Sequence, residues 1–270
     1  MRIDDLDTPC LLLDLDRVNK NIATMMGILQ GTGVSLRPHF KTPKCPAVAE
    51  LQLKAGAIGI TVAKLGEAGV LADAGLGPIL MANQVVGRIK IDRLMALLAR
   101  GVDVTTAVES DFNVDELVAG IKRSGQRAAA VIEVDSGMKR CGIAPGEPTV
   151  ALAKFITAQP NLRFAGVMAW EGHAVSMLDH DQRRDTVTKA VTTLTETADA
   201  IRAAGIPVDI VSCGGGGTYL TSSTIPGVTE VQAGGVTMGD GFYRDLGSPV
   251  ETGLFLITTV VSSPTPDRII

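Results

Sequence analysis

Residues 208–235, VDIVSCGGGGTYLTSSTIPGVTEVQAGG, hold two short apolar runs that each break into glycines. VDIVSC opens into glycines 214–217, and TEVQA into Gly234 and Gly235. Each run is too short for a helix and rich in β-branched residues, so it predicts a buried strand that hands over to a loop. Consecutive glycines let backbone N–H groups turn toward one anion, because no Cβ restricts the chain. A flexible connector is the competing reading. Phosphate sites of (β/α)8 barrels are built from the loops after strands seven and eight, and the strand count bears on the choice.

Working upstream, apolar β-branched runs recur at VSLRPHF (34–40), IGITVA (58–63), PILMAN (78–83), VDVTTAV (102–108), AAAVIEVD (128–135) and RFAGVMAW (163–170). With the two runs above they make eight. The intervening segments carry 3.6-residue apolar stripes, as in HDQRRDTVTKAVTTLTETADAIRAAG. Strands buried on both faces, alternating with helices, predict an α/β fold with a parallel sheet. At eight units the sheet closes, so the expected architecture is a (β/α)8 TIM-type barrel over 16–250, with an open doubly wound sheet as the alternative. LLLDL (11–15) and GLFLITTVVSSP (253–264) fall outside the eight. They read as strands of a second, β-rich domain made of 1–15 plus 251–270 and left incomplete, as though the chain were a fragment.

The length of 270 residues, 46% hydrophobic and 20% charged, suits one barrel-sized domain. A net charge of −4 and no basic run argue against nucleic acid or an anionic membrane as partner, leaving a small molecule. The acidic start, MRIDDLDTPCLLLDL, lacks the basic n-region of a signal peptide, and no apolar run spans a bilayer, so a cytoplasmic protein is expected. Cys10, Cys45, Cys141 and Cys213 show no CxxC spacing and read as reduced thiols.

Catalytic groups of a barrel lie at the C-terminal strand ends. The first loaded end is RPHFKTPK, where alternation puts Arg37, His39 and Lys41 on one face. A lysine facing inward must snorkel, pair with an acid or do chemistry, and neighbouring Arg37 is expected to depress its pKa, leaving a neutral amine that condenses with an aldehyde. The second is EVDSGMKRCGI (133–143), a strand ending in Asp135 and a loop presenting Lys139 and Arg140. A solvated polar turn explains it equally well. Trp170, Glu171 and His173 close the sixth strand, where a satisfied core histidine competes with a lining one. His180 sits in a polar helix start and is given no role. No trio of His, Cys, Asp or Glu has metal-ligand spacing, so no metal residues are assigned.

Together, a strand-end lysine, a mid-chain arginine loop and late glycine loops resemble the fold-type III pyridoxal 5'-phosphate (PLP) enzymes, the alanine racemase-like group. DTPCLLLDLDRVNKNI, LRPHFKTPKCP, EVDSGMKRCGI, GGGGT, TEVQAGG and VSSPTPDRII resemble, within it, the D-threonine aldolase and D-serine dehydratase-like family. The resemblance implies that Lys41 holds PLP as a Schiff base and that Arg140 contacts its phenolic oxygen. Gly215, Gly216, Gly217, Thr218 and Gly234 would fall in the phosphate-binding loops, Gln232 would be a further cofactor-binding residue, and Trp170 would lie where the family commonly has a tyrosine against the cofactor. Pro43 replaces a histidine often seen in the lysine motif. It also implies a homodimer and a divalent metal, manganese, zinc or magnesium, held by a His-x-Cys or His-x-Asp pair beyond this chain's residues.

The implied activity is PLP-dependent retro-aldol cleavage of a D-β-hydroxy amino acid to glycine and an aldehyde, with PLP as electron sink and His173, His39 or a metal-bound water as base. D-serine dehydration uses the same residues and remains open, although RCGI, VQAGG and PTPDRII favour the aldolase branch by analogy. A non-catalytic PLP carrier, and a PLP-free barrel holding a sugar phosphate, are readings of a different class.

Overall fold

The computed structural model describes residues 2–270. Strand β1 (Cys10–Leu13) leads into helix α1 (Leu15–Leu29), whose start is capped by the Asp14 carboxylate accepting from the backbone N–H groups of Asp16 and Arg17. There follow β2 (Ser35–Leu36), α2 (Pro46–Lys54), β3 (Ile60–Val62), α3 (Leu65–Asp73), β4 (Ile79–Gln84), α4 (Arg88–Ala99), β5 (Val104–Val108) and α5 (Asp111–Ser124). Next come β6 (Ala128–Glu133), α6 (Glu147–Thr157), β7 (Leu162–Met168), α7 (His180–Ala203) and β8 (Ile210–Cys213). The chain ends with α8 (Tyr219–Ser222), β9 (Glu230–Val231), α9 (Gly241–Asp245) and β10 (Leu254–Ile257).

Strands β2 to β9 form one parallel sheet in the order β2-β9-β8-β7-β6-β5-β4-β3. Its two ends meet. The Ile58 N–H donates to the Leu36 carbonyl at 2.9 Å, Thr61 to Pro38 at 3.0 Å and Phe40 to Thr61 at 2.7 Å, with a parallel bridge between His39 and Thr61. The sheet is therefore a closed barrel rather than an open doubly wound one. The eight strands coincide with the eight apolar runs of the sequence.

Closure explains the composition. β3 and β5 are buried along their whole length because one face meets the helices and the other the lumen. The lumen is filled by a small cluster of Leu80, Ala107, Val131, Ala165 and Met168. At Gly166 the backbone lies so close to β8 that an added Cβ would come 2.0 Å from the Ile210 carbonyl oxygen, which only glycine avoids.

Strands β1 and β10 pair antiparallel in a two-stranded sheet of their own, with Cys10 opposite Ile257 and Leu13 opposite Leu254. Among the described residues no helix is long and apolar enough to cross a membrane. All four cysteines are free thiols, Cys213 fully buried.

Candidate active site

The strand ends of the barrel surround a cavity of about 370 Å³, within the range of small-molecule pockets. Lys41 stands on its wall, where the chain leaves β2. Its side chain is held by aromatic and charged neighbours: Nζ lies 4.7 Å from the Trp170 ring centroid, and the Arg140 guanidinium carbon 5.1 Å from the same centroid. Burial, and then Arg140, push the Lys41 pKa below its usual value, while Glu67 pulls the other way.

Arg37 plays no part in this, contrary to the expectation from sequence. Its guanidinium is turned to Glu230 on β9, with Nε 2.9 Å and Nη2 2.8 Å from the carboxylate oxygens, both residues being buried. Strand β2 ends before Arg37 and Lys41 stands in the turn that follows, so the expected alternation does not carry from one to the other, and the neighbouring strand supplies the arginine with its own acid.

His39 lies on the wall beside Lys41. Its Nδ1 accepts the Lys41 backbone N–H at 3.2 Å. Burial, followed by the charges of Lys41 and Arg140, drives its pKa down to about 3, so His39 is neutral near pH 7. With Nδ1 accepting, the neutral ring carries its proton on Nε2 and offers a donor to the cavity.

The glycine loop after β8 is fixed from behind by a buried acid. Glu171 accepts from Ser222 Oγ at 2.6 Å and from the Gly214 N–H at 3.3 Å. The Gly215 N–H donates to Thr218 Oγ1 at 2.9 Å. The N–H groups of Gly216, Gly217 and Gly234 have no hydrogen-bond partner among the described residues. Space is short around the loop: a Cβ on Gly216 would come 2.3 Å from the Tyr243 ring, and one on Gly234 would come 2.2 Å from the His39 carbonyl oxygen. Gln232 borders the cavity and donates to Ser212 Oγ at 2.9 Å.

The fold thus brings together Lys41, His39, Arg140, Trp170, Gly215, Gly216, Gln232 and Gly234 around one cavity. Gly217 faces Val175 and Leu246, and Thr218 supports the loop from its buried side. His173 stands apart from the cavity wall. Its ring edge would lie 3.3 Å from a Cβ on Gly137, and its buried Nδ1 has no partner. It packs under the 135–142 loop.

Five groups near or on the wall escaped the sequence reading. Glu133, the last residue of β6 and 4% exposed, accepts from Cys141 Sγ at 3.0 Å and from Gln84 Nε2 at 2.7 Å. Gln84 Nε2 also reaches Glu109 at 3.1 Å. Tyr243, from α9 beyond the barrel strands, leans on Gly216. Glu133 and Cys141 were visible in EVDSGMKRCGI but overshadowed by Asp135 and Arg140. Gln84, Glu109 and Tyr243 gave no local signal. The sequence offered no metal-ligand spacing, yet Glu109, Glu133 and Cys141 bring ligand atoms within 4.8 Å of one another. Their acceptors are already engaged by Gln84, by each other and by the Gly142 N–H.

A closed parallel barrel with a lysine of lowered pKa at one strand end, a guanidinium beside it and glycine loops with free N–H groups at the same end defines a barrel that can hold an anionic carbonyl compound as an imine. The family model described as alanine racemase, N-terminal domain, matches residues 13–241. A 3-hydroxy-D-aspartate aldolase of Paracoccus denitrificans (strain Pd 1222) is 33% identical over 272 residues, covering 97% of this chain and 70% of its own. A D-threo-3-hydroxyaspartate dehydratase of Delftia sp. (strain HT23) is 33% identical over 259 residues, covering 95% and 68%. The crystal structure of a D-threonine aldolase from Filomicrobium marinum superposes with a TM-score of 0.93 at 31% identity, covering 97% of this chain and 72% of that one. The chain belongs to the alanine racemase-like family, in the branch that holds these aldolases and dehydratases.

Proposed function

We propose that this chain holds PLP as a Schiff base on Lys41 and cleaves the Cα–Cβ bond of a D-β-hydroxy amino acid, releasing glycine and an aldehyde. The observation that carries the reading is Lys41 itself, an amine with a depressed pKa on the wall of a cavity that glycine loops with unpaired N–H groups also line.

The residues fit the cofactor. The Gly216, Gly217 and Gly234 N–H groups suit a phosphate, and Tyr243 and the His39 backbone approach the loops so closely that only glycine fits at 216 and 234. Arg140 is the cation available to a phenolate. PLP, when bound, supplies an electron sink for the pair left on Cα as the Cα–Cβ bond breaks. Lys41 Nζ would be the amine that holds the cofactor, and would serve to take up a proton from the substrate. His39, its Nδ1 already occupied, orients by donation from Nε2 rather than acting as base. Trp170 and Tyr243 exclude water from the glycine side.

The divalent metal suggested by the resemblance finds no fitting donors among the described residues, because the Glu109, Glu133 and Cys141 group is internally hydrogen-bonded. The β1–β10 ribbon, which leaves Leu11 and Leu256 exposed, supports assigning 1–15 and 251–270 to a β-rich unit, and a homodimer is part of the same proposal. Four free thiols fit a reducing, cytoplasmic setting.

Dehydration, in which the β-hydroxyl leaves and Cα–Cβ survives, is the second reading, favoured by the Delftia relative. The test has two parts. PLP is added, reduced with borohydride and mapped, with Lys41→Ala as control; label on Lys41 alone supports the site, and label elsewhere overturns it. Products of D-threonine are then assayed: glycine and acetaldehyde support cleavage, whereas 2-oxobutanoate and ammonia assign dehydration. A protein that holds PLP and turns over neither D-threonine nor D-3-hydroxyaspartate is a carrier.

A further inference from the structure

Three adjacent strand ends point polar side chains at one turn. Gln84 ends β4, Glu109 follows β5, and Glu133 ends β6. The Gln84 amide donates to Glu109 Oε2 at 3.1 Å and to Glu133 Oε2 at 2.7 Å, so one nitrogen bridges two carboxylates. Each carboxylate then grips the turn after Arg140. Glu133 Oε1 accepts from Cys141 Sγ at 3.0 Å and lies 3.5 Å from Arg140 Nη2, while Glu109 Oε2 accepts the Gly142 N–H.

The turn has little freedom elsewhere. Its two ends are zipped by the Ile143 N–H to the Glu133 carbonyl and the Asp135 N–H to the Ile143 carbonyl, each at 2.9 Å. Gly142 has φ +107° and no space for a Cβ, which would come 2.6 Å from the Asp135 nitrogen. Without a donor between them, two carboxylates at this spacing repel one another, and repulsion would spread the contacts that locate Arg140.

We propose that Gln84 is a positioning residue: by joining Glu109 to Glu133 it fixes the Arg140–Cys141–Gly142 turn, so that the Arg140 guanidinium stays over Trp170 beside Lys41. The role rests on the reading of Lys41 as the Schiff-base lysine. The groups that face Lys41 are Arg140 from the 135–142 loop, Glu67 from α3 and the neutral His39 of its own strand. Of these, only Arg140 is held through Gln84. A neutral substitution at Gln84 changes no formal charge, so it reaches the lysine only by moving the guanidinium.

The test is reductive methylation of the purified protein with formaldehyde and cyanoborohydride across a pH series, with the extent at Lys41 read by peptide mapping. Methylation requires the neutral amine and so reports its titration without any turnover. Arg140→Ala is expected to raise the Lys41 midpoint by about one pH unit, the scale of one nearby like charge. Gln84→Met, which keeps chain length and loses both donors, is expected to raise it in the same direction. The double variant is expected to match Arg140→Ala alone, because two residues acting through one contact do not add. Gln84→Asn, too short to span both carboxylates, gives the same comparison if Gln84→Met does not fold. An unchanged midpoint in both Gln84 variants, or a shift that adds in full to that of Arg140→Ala, overturns the role. Failure of PLP to label Lys41 in the unaltered protein is a separate result and defeats the reading of the site instead.

Discussion

The Lys41 ammonium lies 4.7 Å from the centre of the Trp170 ring, the only tryptophan in the chain. Any chromophore formed on Lys41 therefore lies within a few ångström of the single indole. Addition of PLP is expected to quench most of the tryptophan emission, and Lys41→Met is expected to abolish the specific quenching. Equal quenching in the two proteins would place the cofactor elsewhere. Without PLP, Lys41→Met is also expected to melt higher than the unaltered protein, since a cation with a depressed pKa is a liability at neutral pH. The sign follows from the shift: the unfolded chain holds this proton more tightly, so the penalty is present near neutrality and fades as pH rises toward the ordinary lysine range.

His39 imposes an acid limit on the fold. Its pKa falls from 6.5 to about 3 on folding, so between these values the unfolded chain carries a proton that the folded chain refuses. Stability then drops as pH falls below 6.5, by up to roughly 1.4 kcal/mol per pH unit. Denaturant titrations at a series of pH values should show this limb flattened in His39→Asn, whose amide oxygen still accepts the Lys41 N–H. An identical slope in the variant would assign the limb to other groups.

The Arg37–Glu230 pair ties the first barrel strand, β2, to the last, β9, inside the barrel, 10% and 2% exposed at the side chain. Removing one partner strands a buried charge. Glu230→Ala is expected to cost about 3–5 kcal/mol of unfolding free energy. Loss of less than about 1 kcal/mol would mean that the arginine finds another acid or water.

Gly216 meets the Tyr243 ring at a distance no Cβ tolerates. Gly216→Ala must displace the ring or the loop, and is expected to weaken PLP binding by at least about tenfold, or 1.4 kcal/mol, with little change in the melting temperature of the PLP-free protein. An equal fall in both would make the glycine a folding requirement instead.

The cavity wall also bears on which substrate suits the site. Its two cations are Lys41 and Arg140, its one acid is Glu133, toward which Arg140 is turned, and the remaining lining includes uncharged Asn83, Thr42, Tyr243 and Met168. A second carboxylate on the substrate would be left without a partner, so kcat/KM for D-threonine is expected to exceed that for D-3-hydroxyaspartate by about tenfold or more. The reverse order would require a cation outside the described wall.

The barrel was legible because burial on both faces writes a β-branched run at every strand, and eight such runs admit few architectures. Lys41, Arg140 and the glycine loops were legible because strand ends and glycine repeats are local patterns. What failed was partnership across the chain. Arg37 finds Glu230 193 residues away, and only closure makes β2 a neighbour of β9. Gln84 and Glu109 matter through atoms on separate strands, and Tyr243 arrives from a helix after the barrel. His173 beside Trp170 suggested a wall position, but the short 3-10 turn Gly172–Ala174 carries its ring under the arginine loop.

The seam between β2 and β9 has a consequence for the order of folding. The strand that presents Lys41 is flanked by β9 and, through the His39–Thr61 bridge, by β3, and β9 is the last barrel strand to be added. Sequence-distant pairing of this kind forms late, after helices and neighbouring strands have condensed. In refolding, quenching of Trp170 by PLP should therefore lag behind the return of helical circular dichroism, and the lag should lengthen in Glu230→Gln, which slackens the seam. Capture of the cofactor would then serve as the molecule's own signal that its first and last strands have met.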